Sequence, residues 1–283
     1  MRHPVFVALC LVGTVGLTTA CQKGVSRAQA DRAVADAALI DQSNLNDIML
    51  NVSDPQEGVN YFKNALTVSP DNVELKRGLA KSLSRARLYT EAITVLNDLI
   101  ASPEGTNDDR LALTDVLIRS NEWTKAEATL ATIPPTVETY ERYRLEAMVA
   151  DSKRDWKKAD SFYEIAVGLT NKPQGVLNNW GFSKLTRGDA PGAERLFIQA
   201  LTYDPKMFTA KNNLVLARAA QGKYDLPIVE MTQEERAQLY YTAGLAAVKQ
   251  GDVAQGKQLL QQAVDTSPTF FEAASRSLKA LEG

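Results

Sequence analysis

From about residue 34 onward the hydrophobic positions recur at three- and four-residue spacing almost without interruption, and alternating β-branched runs are missing. The pattern therefore predicts helices along nearly the whole chain. Small residues recur within it: Ala92, Ala126, Ala159 and Ala193 are spaced 34, 33 and 34 residues apart. Three residues before them stand Tyr89, Trp123 and Trp156, and Tyr224 takes the same slot later on. Four residues after them stand Leu96, Leu130, Tyr163 and Phe197, and three further on Leu99, Ile133, Ala166 and Ala200. A fixed period of this length marks a repeat array rather than a single globular core. The small side chains let the two helices of one unit approach, and the large ones fill the space against the next unit.

The clearest unit runs from Gln174 to Met207, with Trp180-Gly181, Gly188-Asp189, Ala193, Phe197, Ala200 and Pro205. Gly188 suits the turn between the helices, where a left-handed backbone is cheap for glycine, and Pro205 stops the second helix. A second clear unit covers Ala237 to Phe270, with Gly244, Gly251-Asp252, Ala263 and Pro268, and a less complete one covers Leu39 to Asn72, with Leu45, Phe62, Ala65 and Pro70. Pro205 to Pro268 is 63 residues, five short of two periods. The deficit falls after Gly222-Lys223-Tyr224, so residues 225–235 are expected to be an irregular insertion replacing a second helix, with Thr232 placed to cap the next one. Residues 271–281 are expected to form a helix capping the array. This register resembles the tetratricopeptide repeat. The resemblance implies an all-α, right-handed superhelix, an α-solenoid of about six to seven units extending over residues 34–283 as one elongated domain.

The chain has 283 residues with 32 Lys and Arg against 34 Asp and Glu, and its formal charge is −2. It has one histidine, His3, and two cysteines, Cys10 and Cys21. Charge-relay hydrolysis, structural zinc and iron–sulfur clusters need imidazoles or thiolates that a chain without these N-terminal residues lacks. No cofactor, metal or catalytic residue is assigned, and an enzyme is not expected. The balanced charge shows no basic stripe for nucleic acid, and no small-molecule substrate is implied.

The N-terminus has the order of a secretory signal: Met1-Arg2-His3 is basic, Val5 to Leu17 is apolar, and Thr18-Thr19-Ala20 are small. As a helix the apolar run would span about 20 Å, short of the ~30 Å hydrocarbon core. Leu17-Thr18-Thr19-Ala20-Cys21 resembles the bacterial lipoprotein box. The resemblance implies that residues 1–20 are removed, that Cys21 carries the lipid, and that 21–33 form a tether. Gln22 after the cysteine implies outer-membrane sorting, with the chain facing the periplasm.

Candidate chemistry is sparse. The tryptophans Trp123, Trp156 and Trp180 sit at repeat positions and are read as packing residues. The acidic pairs Asp108-Asp109 and Glu234-Glu235 are read as helix-start acids. What remains is the inner surface of the first helices. Asn178-Asn179 precede Trp180-Gly181, and Asn212-Asn213 lie 34 residues on. A planar amide both donates and accepts, so such a ladder suits capture of an extended backbone, each bond contributing about 0.5–1.5 kcal/mol. Lys184, Lys211 and Arg218 are candidates for added charge complementarity.

Asn178-Asn179-Trp180-Gly181, Gly188 to Arg195 and above all Asn212 to Gly222 are similar to the TadD-type lipoproteins of the tight-adherence (Flp) pilus assembly system. The resemblance implies a pilotin-like factor that holds the secretin or other pilus components by its concave face while its acyl anchor confines it to the membrane. Two other lipoprotein scaffolds share this build, a type IV pilus pilotin and a component of the β-barrel assembly machinery. A cell-wall-acting enzyme is the other class.

Overall fold

The computed structural model describes residues 45–51 and 53–281. The expected signal 1–20, the lipid-bearing Cys21 and the tether 21–33 lie outside the described residues. Residues 45–51 are helical (α1) and belong to a unit that ends at Val52. From Ser53 onward the chain passes through α2 (Pro55–Val68), α3 (Val73–Arg85), α4 (Tyr89–Ala101), α5 (Asn107–Arg119), α6 (Trp123–Ala131), α7 (Tyr140–Ser152) and α8 (Trp156–Gly168). It continues through α9 (Gln174–Thr186), α10 (Ala190–Tyr203), α11 (Phe208–Ala219), α12 (Gln233–Lys249), α13 (Val253–Thr266) and α14 (Glu272–Ala280). Among the described residues all regular structure is α-helical, an α-solenoid of stacked pairs.

From α2 onward each helix packs on the next, and the first helices of successive pairs also touch: α3 with α5, α5 with α7, α7 with α9 and α9 with α11. The second helices α4, α6, α8 and α10 do not pack on one another to a comparable degree. The first helices therefore form an inner layer toward which the stack curves.

The close approach within a pair follows from the small residues. Ala92, Ala126, Ala159 and Ala193 are all fully buried, and the large residues one turn further, Phe62, Leu96, Leu130, Tyr163, Phe197 and Leu260, are between 0% and 6% exposed. Such a side chain contributes about 1.5–3 kcal/mol on burial. At Gly181 an added Cβ would meet the Phe197 ring at 2.6 Å, so the glycine is what lets α10 seat its aromatic against α9.

The turn inside each pair is also fixed. Arg87, Asn121, Arg154, Gly188, Gly222 and Gly251 have φ of 61°, 64°, 61°, 88°, 74° and 91°. They are 34, 33, 34, 34 and 29 residues apart. After each, the next amide reaches back five residues, as in Leu88 N to Leu83 O at 2.9 Å and Asp189 N to Lys184 O at 2.9 Å, which closes the helix on a left-handed residue. Asp155, Asp189 and Asp252 then cap the following helix by accepting from the amides of Lys158, Gly192 and Gln255.

The short last step of that series lies at residues 220–232, which hold no helix. Leu226 and Met231 pack against Val215, Leu239 and Ala243, and Val229 packs on the cluster of Phe197 and Leu214. Three apolar side chains thus cover a surface that a second helix covers elsewhere. Thr232 caps α12 with a full capping box to Glu235.

Nothing lies within 4 Å of a Cβ built at Gly188, so Gly188→Ala is a purely conformational test. It is expected to lose about 1 kcal/mol and to lower the melting temperature by about 2–4 °C. Arg154→Gly is expected to move it the opposite way, as followed by circular dichroism.

Candidate functional site

A groove of about 500 Å³ runs along the inner layer. α7 supplies Met148, Asp151 and Ser152, α9 supplies Asn178, Asn179, Phe182, Ser183 and Thr186, and α11 supplies Thr209 and Asn213. Trp123, Trp156 and Tyr163 from the second helices form its other wall. These residues converge because the inner helices stack at one period, so equivalent turns of α7, α9 and α11 lie side by side. A neighbouring hollow of about 700 Å³ lies over α3, α5 and α7. Its central charges are engaged with one another: Arg77 with Asp109 at 2.9 Å, and Asp115 with both Arg144, at 2.9 Å, and Arg119.

The structure brings some of the sequence-predicted residues together. Asn178, Asn179 and Asn213 line the groove. Asn178 and Asn213 are buried, and Asn213 Nδ2 donates to Asn178 Oδ1 at 3.0 Å, tying α9 to α11. Asn179 Nδ2 lies 3.6 Å from Met148 Sδ, a weak contact that leaves most of its capacity open. Asn212 is outside the lining, and its Oδ1 accepts from Thr242 of α12 at 2.7 Å.

The three candidate cations are engaged between repeats instead. Lys184 is 3.0 Å from Asp160 and stands over the Trp180 ring. Arg218 pairs with Glu194 at 2.9 Å and Asp225 at 2.5 Å. Lys211 is only 2% exposed and reaches Glu235 at 2.9 Å, the same carboxylate that caps α12. A cation held this deep requires a partner, because an unpaired buried charge is costly.

These pairs belong to a ladder. Asp160 accepts from Arg187, Lys184 and the Trp180 indole, and Glu194 accepts from Arg218, Gln221 and Lys223. Burial alone would raise the Asp160 carboxyl, and the hydrogen bonds from Arg187, Trp180 and Lys184 reverse this and hold it below its usual range. Burial likewise pushes Asp115 up, and the charges of Arg144 and Arg119 bring it below the usual value. Asp109 and Glu235 follow the same pattern, burial being outweighed by their cationic and backbone partners, and in Glu194 it is outweighed by hydrogen bonds from Gln221, Arg218 and Lys223.

Asp151 departs from it. Burial raises its carboxyl, and the hydrogen bonds it accepts from Ser183 at 2.7 Å and Tyr163 at 2.9 Å do not compensate. The tryptophans divide as well. Trp180 stacks on Tyr163 at 6.1 Å and donates to Asp160, as a packing residue does. Trp123 and Trp156 pack too, yet each is half-buried and lines the groove, a role the repeat register does not separate from packing. The signal for Asp151 is Tyr163, which stands where other units carry Leu or Phe: a buried hydroxyl needs an acceptor.

Residues 52–108 and 179–226 match family models described as tetratricopeptide repeat. No curated protein sequence matches the chain. Among solved structures, the fold is similar to a chain of the APC/C hetero-tetramer Cut9–Hcn1, with 14% identity over 85% of this chain and 48% of that one and a TM-score of 0.59. It is also similar to a tetratricopeptide repeat protein from Parabacteroides merdae, with 15% identity over 85% and 97% of the two chains and a TM-score of 0.55. The human IFIT1 dimer with PPP-AAAA gives 16% identity over 80% and 59%, with a TM-score of 0.57. The chain spans about half the length of the Cut9–Hcn1 chain it matches. The fold is a tetratricopeptide-repeat α-solenoid.

Two outcomes follow for stability. Asn213→Ala is expected to lose about 0.5–1.5 kcal/mol by removing a buried hydrogen bond, and Asn179→Ala less, in urea denaturation. Carboxyls held below their unfolded values, about 4, stabilise the fold above that pH and lose this contribution as pH falls through their folded values. Asp160→Asn should therefore melt below the wild type at pH 7, and the two curves should converge in acid.

Proposed function

We propose that this protein is a lipid-anchored periplasmic scaffold that captures extended segments of protein clients in the groove along α7, α9 and α11. The observation that carries this reading is the groove's composition. Amides, hydroxyls and half-exposed aromatic rings share one concave surface, while the strong ion pairs are drawn off into the contacts between repeats. Phe182, 51% exposed on the inner face of α9, is an apolar side chain that the fold itself does not bury. An extended chain laid along the inner layer would cover it and meet Asn179 and the open sides of Asn178 and Asn213. Hydrogen bonds to backbone amides favour no particular sequence, so each contributes little and several must act together.

The Cys21 anchor belongs to the same reading and rests on the lipoprotein-like sequence before it. Two acyl chains at ~0.8 kcal/mol per buried methylene already hold a protein stably on a membrane. Anchored in the outer membrane by residue 21 and its tether, the solenoid acts by recruitment: it raises the local concentration of a client without chemistry of its own. The similarity of Asn212 to Gly222 to TadD-type lipoproteins supports clients in the Flp pilus assembly system, with the secretin foremost and a pilotin-like role. Tetratricopeptide repeats as a class support protein binding in general and leave the other two lipoprotein scaffolds as the competing assignments.

A photo-crosslinking residue at Phe182 is expected to trap a pilus-assembly component in cells, whereas one at Ile198, exposed on α10, is not. Loss of acyl labelling in Cys21→Ser and mislocalised secretin on deletion are expected alongside. Equal crosslinking from both positions would remove the groove from this account, and normal piliation in the deletion strain would remove the pilus.

A further inference from the structure

Asp151 is the one carboxylate in the groove lining, and its surroundings are unlike those of the acids that tie neighbouring helices together. Asp109, Asp115, Asp160, Glu194 and Glu235 each accept from at least one Lys or Arg. Asp151 has no ion pair among the described residues; its partners are two neutral hydroxyls, Tyr163 and Ser183. Three cations on the neighbouring elements are engaged with other acids. Both Asp160 oxygens accept from Arg187, whose guanidinium also stands 5.6 Å from the Trp156 ring, Arg144 holds Asp115, and Lys153 holds Glu127.

A purely structural role does not account for a charge here. The hydroxyls of Tyr163 and Ser183 need an acceptor, and a neutral amide or hydroxyl oxygen provides one without the penalty of desolvating an ion. Burial disfavours the charged form of Asp151, and among the described residues the hydrogen bonds from Ser183 and Tyr163 and the charge of Arg187 do not outweigh it. The carboxylate borders a groove whose lining also includes the rings of Trp123, Trp156 and Phe182. An acidic group among aromatic rings is the surrounding that a desolvated cation favours, the rings contributing through their quadrupole and the acid through charge-assisted hydrogen bonds.

We propose that the Asp151 pocket is a subsite for an arginine side chain of the captured segment. A guanidinium is planar, so it can lie against an aromatic face and still direct its N–H fork at the carboxylate, which a lysine ammonium cannot do in one pose. Asn179, in the same lining, offers an amide oxygen for the guanidinium's remaining donors. The client chain then has a polarity to its recognition: backbone capture along α9 and α11 is tolerant of sequence, and the Asp151 pocket fixes register by one basic residue. This inference rests on the groove reading and adds the chemistry of the partner to it.

The test uses two probes on the full chain in detergent: a short capped peptide of alanine and serine with a central arginine, and the same peptide with citrulline in its place. Citrulline keeps the planar shape and length of the side chain, removes its charge, and replaces two of its five N–H donors by a carbonyl oxygen. Calorimetric titration is expected to give at least about tenfold tighter binding of the arginine peptide, the worth of one charge-assisted hydrogen bond. In Asp151→Asn, which keeps an acceptor for Tyr163, the preference should vanish while the citrulline affinity stays unchanged. Phe182→Ala, at a half-exposed position, should reduce the arginine preference with only a small change in melting temperature. Equal affinity for the two peptides in the wild type would overturn the subsite and leave the groove reading standing. Failure of both peptides to bind at millimolar concentration would overturn the two together.

Discussion

The pitch of the array is set where the two helices of a pair touch, at Ala92, Ala126, Ala159 and Ala193, none of which exposes any surface. Only a methyl group fits between backbones that close, and the large residue one turn further on, Leu96, Leu130, Tyr163 or Phe197, then reaches the neighbouring helix rather than solvent. From this contact the rest follows. A pair packed so tightly turns within three residues, its first helix stacks on the first helix of the next pair, and the inner layer is brought together along one side. A solenoid held by nearest-neighbour contacts buries its apolar surface between helices, and its concave side is left for partners.

Electrostatics divides the same surface further. Acids and bases about one repeat apart meet across the interfaces between pairs, and burial makes each partner necessary to the other: Lys211 has its place because Glu235 is there, and Glu235 is fixed in turn by capping α12. With most charge consumed in this way, the groove over α7, α9 and α11 is left with amides, hydroxyls and aromatic rings. Asp151 is the exception, a carboxylate whose side-chain partners among the described residues are neutral. Function in this account lives in what the ladder does not use.

Much of the fold is legible in the sequence because the period is carried by residue types with a single physical reason. Alanine, glycine and the large residues mark the helix contacts, and Gly188, Gly222 and Gly251 mark turns with a left-handed residue. Arg87, Asn121 and Arg154 adopt the same conformation with side chains that do not announce it, so only the spacing reveals those turns. The site is less legible. The asparagines lie in the inner layer, but which of them pair depends on a one-residue offset between stacked helices: Asn178 meets Asn213, while Asn212 turns to Thr242. Lys184, Lys211 and Arg218 look free in a sequence, since their partners are 24 residues away on other helices. Asp151 could be inferred only from the odd tyrosine at 163.

The central claim is that the inner layer holds an extended client chain. Hydrogen exchange of the full protein, measured with and without the client segment trapped by crosslinking, tests it most directly. The account predicts added protection confined to α7, α9 and α11, at the turns bearing Asp151, Asn179 and Asn213. Protection confined to α8 and α10, with the inner helices unchanged, would contradict it.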